Sequence, residues 1–354
     1  MEHSKQYARQ MALPEIGSLG QQKILNAKVL VIGAGGLGCP VLQILAASGV
    51  GTLGIVDGDV VDETNLHRQL LYTTDDCGTK KVVAAANAIR KINSDVKVNV
   101  YPEFISESNI ATIVKDYEIL VDCTDTIATR YLINDISVHL GKPMIYASIH
   151  KFEGQISVFN YQNGPTYRCL FPEKNSQEIP NCVTTGVLGV LPNTLGMLQA
   201  TEVMKIILGI GEVLSGKLLI YNALNMSFNE LEFSKNEEQI RIGTKKGTEL
   251  ESSEKQNHEV NKEAFLDFCS NENYTIIDLR EVHETPKLKH KNIINISFLE
   301  IEKHINQFQK DQPIILFCQS GIRSKKALKF FLEKGFTNIA HLQKGIQKVQ
   351  LEVI

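Results

Sequence analysis

Five apolar runs of strand length alternate with helix-period segments through the first half of the chain, and this alternation restricts the fold more than any other feature. The runs are KVLVIG (28–33), TLGIVD (52–57), VKVNVY (96–101), EILVDC (118–123) and PMIYAS (143–148). Between them lie CPVLQILAAS (39–48), TKKVVAAANAIRKI (79–92) and TIATRYLINDISVHL (126–140), which predict helices. Strands separated by helices must cross over a sheet face to pair in parallel, so the pattern predicts an α/β, Rossmann-like doubly wound sheet. GQISVFNY (154–161) then alternates as a more exposed strand does. A long loop from Tyr161 to about Asn181 follows. Beyond it, a helix is expected near Thr194–Leu208 and strands near Leu218–Tyr221 and Phe228–Phe233.

Past Phe233 the composition changes. Charge, Ser and Gly dominate SKNEEQIRIGTKKGTELESSEKQNHEV, so residues 235–259 read as a flexible exposed linker. A second, smaller α/β pattern follows, with strands in YTIIDLR, NIINIS and PIILFC and a helix in SKKALKFFLEKG. The expected domains are therefore 1–234 and 260–354, which agrees with 354 residues at roughly 150 per domain. An apolar fraction of 43% can fill two cores, and a net charge of −3 gives no global basic field for nucleic acid or anionic membrane. The uncharged stretch Val29–Val56 is long enough to span a bilayer, but its glycines and Pro40 fit a buried strand–helix–strand unit better. The opening MEHSKQYARQM lacks the apolar core of a signal peptide, and seven irregularly spaced cysteines suit a reducing compartment. A cytoplasmic protein with free thiols is expected, with Cys39, Cys77, Cys123 and Cys269 as buried fillers.

GAGGLG (33–38) leaves a strand and opens a helix, with Gly33, Gly35 and Gly38 at dinucleotide-fold spacing. Such a loop lets backbone amides at a helix N-terminus approach phosphate, and Asp57 ends the next strand where it can accept ribose hydroxyls. On these residues alone, NAD and other nucleotides remain open. Asn65, Arg68, Gln69 and Lys81 follow, and Asp125 lies just past the fourth strand. Hydride transfer does not call for this collection of cations, amides and a carboxylate. A nucleoside triphosphate does, since Arg and Lys neutralise phosphate oxygens and Asp can hold Mg²⁺.

YARQMALPEIG, GAGGLGCPVLQILAASGVG, VDGDVVDETNLHRQLL, CTDTIATRYLIND, FEGQISVF, YRCLFP and NCVTTGVLGVLP together resemble the E1-like adenylyltransferases. More closely they resemble those acting on ubiquitin-like sulfur carriers for molybdopterin and thiamine synthesis. The resemblance runs from about Gln6 to Phe233. It implies ATP with Mg²⁺, with Gly36, Asp57, Asn65, Arg68, Lys81 and Asp125 at the matching positions. It also implies a homodimer in which Arg9 reaches the partner subunit's ATP, and a carrier protein ending in Gly-Gly as the substrate. Joining a carboxylate to AMP turns a poor leaving group into a good one, and positioning and charge neutralisation do most of that work. Cys182 stands where the family carries a cysteine that can take part in acyl or sulfur transfer. Relatives often hold structural zinc with two Cys-x-x-Cys pairs. Here TYRC has Thr166 at the first position, and no cysteine lies between Cys182 and Cys269, so no zinc site is expected.

In the second pattern, CQSGIRS (318–324) joins the strand PIILFC to a helix. Backbone amides curled around Cys318, with Arg323 adjacent, would favour negative charge on its sulfur; Gly321 permits the turn, and Ser324 is placed to cap the helix. The loop resembles the active-site loop of rhodanese sulfurtransferases, with Asp278 and Arg280 at recurrent positions. It implies that Cys318 carries sulfur as a persulfide, loaded by an upstream donor such as a cysteine desulfurase. Adenylation would then create an electrophile that the persulfide attacks, and tethering would keep donor and adenylate at high effective concentration. Three rivals are an NAD-dependent oxidoreductase with an appended rhodanese domain, a non-catalytic carrier-binding scaffold, and an adenylyltransferase for another acyl substrate such as a peptide. The first leaves Asn65, Arg68, Lys81 and Asp125 unexplained together.

Overall fold

A computed structural model of the chain describes residues 5–173, 186–254, 258–288 and 290–348, in two units that divide after Glu254. In the first unit the five apolar runs are β1 (Lys28–Ile32), β2 (Thr52–Val56), β3 (Lys97–Tyr101), β4 (Ile119–Asp122) and β5 (Met144–His150), all parallel. Then β6 (Glu153–Phe159), β7 (Lys217–Asn222) and β8 (Ser227–Glu232) extend the sheet antiparallel, in the order β3-β2-β1-β4-β5-β6-β7-β8. The helices are α1 (Ala8–Met11), α2 (Gly17–Asn26), α3 (Gly38–Ala47), α4 (Lys81–Ile92), α5 (Ile110–Val114), α6 (Ile127–His139), α7 (Tyr167–Leu170), α8 (Val190–Leu208) and α9 (Glu237–Glu254).

Central strand β1 explains why its sequence is an unbroken apolar run. Val29 and Val31 enter one core with Leu42 of α3, Val82 of α4 and Leu195 of α8. Leu30 and Ile32 enter another with Ile113 of α5, Ile136 of α6 and Leu250 of α9. A strand covered on both faces has no polar side to show. Strand order reverses between β2 and β4 on either side of β1, which opens a crevice at the carboxyl ends of β1 and β4.

The expected linker at 235–259 needs correction, because most of it is α9, packed on α6. Ile240, Gly243, Gly247 and Leu250 recur at helical spacing and form its inner face, with Gly243, Gly247 and Leu250 buried. A Cβ added at Gly247 would lie 2.3 Å from the Asp135 carbonyl oxygen, so the glycine that suggests a loop instead permits close helix packing. His139 Nε2 of α6 meets Glu251 Oε2 at 2.8 Å. The same region is tied by Arg168, whose Nε and Nη2 grip both oxygens of buried Asp135 at 2.6 and 2.7 Å. Arg168 Nη1 and Lys246 Nζ both donate to Glu173 Oε2 at 2.8 Å. Cys169 Sγ accepts from the amides of Thr166 and Asn236, each at 3.3 Å.

The second unit has a five-stranded parallel sheet in the order β11-β10-β12-β13-β9. Its strands are β9 (Glu259–Val260), β10 (Thr275–Asp278), β11 (Ile293–Asn295), β12 (Ile314–Phe317) and β13 (Ile339–Leu342). Its helices are α10 (Lys262–Cys269), α11 (Ile301–His304) and α12 (Ile322–Glu333). Again the strand faces divide: Ile277 and Leu316 pack with Phe331 of α12, while Ile276, Ile315 and Phe317 pack with Phe265 of α10. No helix among the described residues is long and apolar enough to cross a membrane.

Candidate active sites

A cavity of about 780 Å³ lies at the carboxyl ends of β1, β2 and β4. Gly33, Gly35 and Gly36 from the loop after β1 line it, together with Asp57, Asn65, Arg68, Gln69, Lys81 and Asp125. Gly33 has φ +99°, and a Cβ there would lie 2.6 Å from the Cys123 carbonyl oxygen. One on Gly38 would lie 2.0 Å from the Gly33 carbonyl oxygen, so Gly38 sets the loop from beneath instead of lining the cavity. Asp57 braces this loop, accepting from the amides of Ala34 and Asp59, each at 2.8 Å. Each carboxylate oxygen keeps a lone pair for a ligand.

The charges arrive from separate elements. Lys81, at the start of α4, is 5% exposed and pairs with Asp59 Oδ2 at 2.9 Å. Arg68 donates to the Thr64 carbonyl oxygen at 3.1 Å. Asp125 is exposed in the loop between β4 and α6, and among the described residues its carboxylate has no hydrogen bond or ion pair. Gln69 donates through Nε2 to Asn65 Oδ1 at 2.9 Å, while its buried Oε1 has no partner among the described residues.

Sequence reasoning missed several lining residues, among them Asp59, Phe104, Arg130, His150 and Lys151. Arg130 is the most consequential. It lies one helical turn into α6, donates to the Thr124 carbonyl oxygen at 3.0 Å and sits 3.7 Å from Asp122 Oδ2. Asp122, fully buried, accepts from Thr124 N and Oγ1 at 2.9 and 2.6 Å. Burial pushes the Asp122 carboxyl up, and the Arg130 guanidinium opposes that rise. Together these groups hold the loop that presents Asp125. Arg130 stands in CTDTIATR, the segment that supplied Asp125, but nothing in its spacing separates it from a surface arginine.

Arg9 lies elsewhere. It is exposed on α1 and does not line the cavity. Neighbouring Tyr7 is buried against Gly49, in the turn that enters β2, and accepts from Asn93 at 2.7 Å. This places α1 at the opposite end of the strands from the cavity. Cys182 lies outside the described residues. Cys39 and Cys123 are buried beside the glycine loop, and burial pushes the Cys39 thiol up to about 12 and Cys123 well up also. Cys77, expected as a filler, is exposed.

In the second unit, Cys318 directly follows β12 and has no exposure. Its Sγ accepts from the amides of Gly321 at 3.2 Å and Ser324 at 3.4 Å, while Gly321 holds φ +89°. Two details differ from expectation. Ser324 does not cap α12, which starts at Ile322; its buried Oγ bonds inward to the Gly321 carbonyl oxygen at 3.1 Å. Arg323 does not turn to the sulfur, because Glu284 binds both its terminal nitrogens at 2.7 and 2.6 Å. The amides of Gly321 and Ser324, with the Ser324 hydroxyl at 3.6 Å, are then the groups bonded to the sulfur. Asp278 and Arg280 form a buried bidentate pair at 2.8 Å for each bond, and Arg280 Nη1 reaches Gln319 Oε1 of the loop at 3.3 Å.

The ThiF family model matches residues 7–242, and the model of the rhodanese-like domain matches residues 261–352. The chain belongs to the ThiF family. It joins an E1-like adenylyltransferase unit to a rhodanese-like sulfurtransferase unit. ThiF-family relatives include the sulfur carrier protein adenylyltransferase of Thermus thermophilus, 45% identical over 66% of this chain and 89% of that protein. The Mycobacterium tuberculosis protein named "Probable adenylyltransferase/sulfurtransferase MoeZ" is 37% identical over 98% of this chain and 92% of its own. Among solved structures, that of E. coli MccB with ATP is 25% identical at a TM-score of 0.57, covering 65% of this chain and 72% of that one.

Proposed function

We propose that the chain adenylates the C-terminal glycine of a ubiquitin-like sulfur carrier ending in Gly-Gly and then delivers sulfur to it from a persulfide on Cys318. The carrier carboxylate attacks the α-phosphorus of ATP, pyrophosphate leaves, and an acyl adenylate forms. The outer sulfur of the Cys318 persulfide attacks the acyl carbon and AMP leaves, giving an acyl disulfide. Attack by a further thiol, with Cys182 as the candidate, releases the carrier thiocarboxylate and leaves a disulfide on the enzyme.

What carries this reading is one cavity shared by a glycine loop, the cations Arg68 and Lys81, and the open carboxylate of Asp125. These residues fit a triphosphate. Loop amides and cations offset its charge. Asp57 and the orphaned Gln69 Oε1 offer acceptors to hydroxyl or amino donors. Mg²⁺, when bound, neutralises phosphate charge, and Asp125 is the carboxylate free to hold it. For Lys81 to meet phosphate it must exchange its Asp59 partner. Arg9, at the far end of its own subunit, would serve the ATP of a partner subunit in a homodimer. The molybdenum cofactor and thiamine routes both use carriers of this kind, and a relative named "Probable molybdopterin-synthase adenylyltransferase", 38% identical over 90% of this chain, favours the first.

ATP–pyrophosphate exchange tests the first half. Exchange should depend on Mg²⁺ and on a carrier ending in Gly-Gly, and Asp125→Ala should cut it by about a hundredfold or more. Absence of exchange with every such carrier, beside tight NAD binding, would overturn the proposal.

A further inference from the structure

Behind the Cys318 loop, a chain of polar groups runs inward that the amide cradle does not require. Cys318 Sγ lies 3.6 Å from Ser324 Oγ, in the direction for the thiol to donate. Ser324 Oγ lies 3.1 Å from His341 Nδ1 on β13. His341 Nε2 faces Glu259 Oε1 of β9 at 3.7 Å and has no hydrogen-bond partner among the described residues. Ser324 and His341 are 0% and 1% exposed, so water does not replace these contacts.

The hydrogens can be placed by electrostatics. A neutral imidazole carries one hydrogen, and the carboxylate beyond Nε2 favours it there. Nδ1 is then an acceptor, and Ser324 has one hydrogen with two acceptors at equal reach: His341 Nδ1 and the Gly321 carbonyl oxygen, each at 3.1 Å. Turned to His341, its oxygen is free to receive the thiol hydrogen. Burial lowers the His341 pKa from its ordinary value while Glu259 opposes that, so the ring is neutral and able to accept near pH 7. The other charged group facing this pair is Lys325 of α12, whose Nζ lies 3.5 Å from Glu259 Oε1; His258, next to Glu259, is bonded through its ring to the Ile339 carbonyl oxygen.

We propose that Ser324 and His341 form a proton relay that deprotonates Cys318 for sulfur loading, with Glu259 stabilising the imidazolium. The thiol proton passes to Ser324 Oγ as the serine hydroxyl proton passes to His341 Nδ1. The Cys318 thiolate then attacks the outer sulfur of a donor persulfide, R–S–SH. The new Sγ–S bond forms as the donor S–S bond breaks, giving Cys318–S–SH and R–S⁻, and the relay returns its proton to the departing thiolate. No net oxidation occurs. Arg323 is held by Glu284 and, as a guanidinium, cannot take a proton, so the relay supplies the base. The inference rests on Cys318 being the sulfur-accepting residue.

The test is single-turnover loading of the full chain with glutathione persulfide across pH 6 to 10, followed by mass spectrometry of the Cys318 peptide. His341→Asn and Ser324→Ala should each load about a hundredfold more slowly near pH 7 and recover at high pH, where hydroxide replaces the relay as the base. Glu259→Gln, on a partly exposed residue, should move the profile in the same direction by less, and it keeps the test valid if a buried variant unfolds. Loading unchanged in these variants, or slowed equally at every pH, would overturn the relay while leaving Cys318 as the acceptor. No loading of the unaltered chain at Cys318 would overturn both.

Discussion

Both units carry the same local device, a strand that ends in a glycine-bearing turn and opens a helix, yet they turn it in opposite directions. After β1 the turn faces outward onto a cavity of about 780 Å³ whose other walls come from residues as far along the chain as Pro192. After β12 it closes inward on a side chain of its own, and Cys318 Sγ takes the amides of Gly321 and Ser324. The first arrangement suits a large ligand that comes and goes. The second suits a small reactive atom that stays. Amides at a helix N-terminus favour negative charge in both, and whether they serve a substrate or a resident sulfur depends on which way the turn folds.

The largest effects should come from filling the turns. Gly38→Val places a branched side chain against the Gly33 carbonyl oxygen, already 2.0 Å from an added Cβ. It should abolish pyrophosphate exchange and lower the melting temperature of the first unit, while persulfide loading of Cys318 survives. Gly321→Val, at φ +89° and 2.3 Å from the Gln343 carbonyl oxygen, should do the reverse. If either variant lost both activities, the two loops would not be independent devices. Changes that keep the turns and remove one functional atom should separate the activities as cleanly. Asp125→Ala is expected to cut exchange by about a hundredfold or more without slowing sulfur loading, and Cys318→Ala to stop loading without slowing exchange. Isotope exchange and peptide mass spectrometry on one preparation would read both.

These loops were legible because each is local: strand, glycines, polar residues and helix fall within about ten residues. GAGGLG and CQSGIRS could be read with no knowledge of the rest of the chain. What was lost is what tertiary contacts decide. Arg130 and Lys151 reach the cavity from α6 and from the β5–β6 turn, and only the sheet order brings them there. Ser324 looked like a helix cap by position, but His341, seventeen residues on in the next strand, draws it inward. The segment at 235–259 failed for a related reason. Its charged residues lie on the outer face of α9, and its two inner glycines were read as loop residues although they let α9 approach α6.

That last correction gives a prediction of intermediate size. Arg168→Met leaves Asp135 buried without its partner, and breaking such a pair should cost the first unit about 3–5 kcal/mol by denaturant unfolding. Loading of Cys318 should not change. If stability were unaltered, α9 and the Arg168 cluster would not brace the unit.

The smallest expected effect concerns acid. Arg323 holds the Glu284 carboxyl down at about 2 through its hydrogen bonds. A carboxyl lowered on folding stabilises above its unfolded value, about 4.3, and that contribution is lost as pH falls towards the folded value. The melting temperature of the second unit should therefore drop between those two pH values. Glu284→Gln should flatten the drop and leave the first unit's acid profile unchanged.

The central claim is that one chain both activates a carboxylate and supplies the sulfur that replaces its oxygen. The most direct test incubates the full chain with ATP, Mg²⁺, a persulfide donor and a carrier ending in Gly-Gly, and then weighs the carrier. The account predicts exchange of one carboxylate oxygen for sulfur, dependent on ATP and lost in both Asp125→Ala and Cys318→Ala. Sulfur entering the carrier without ATP, or an adenylate that accumulates beside a fully loaded Cys318, would contradict it.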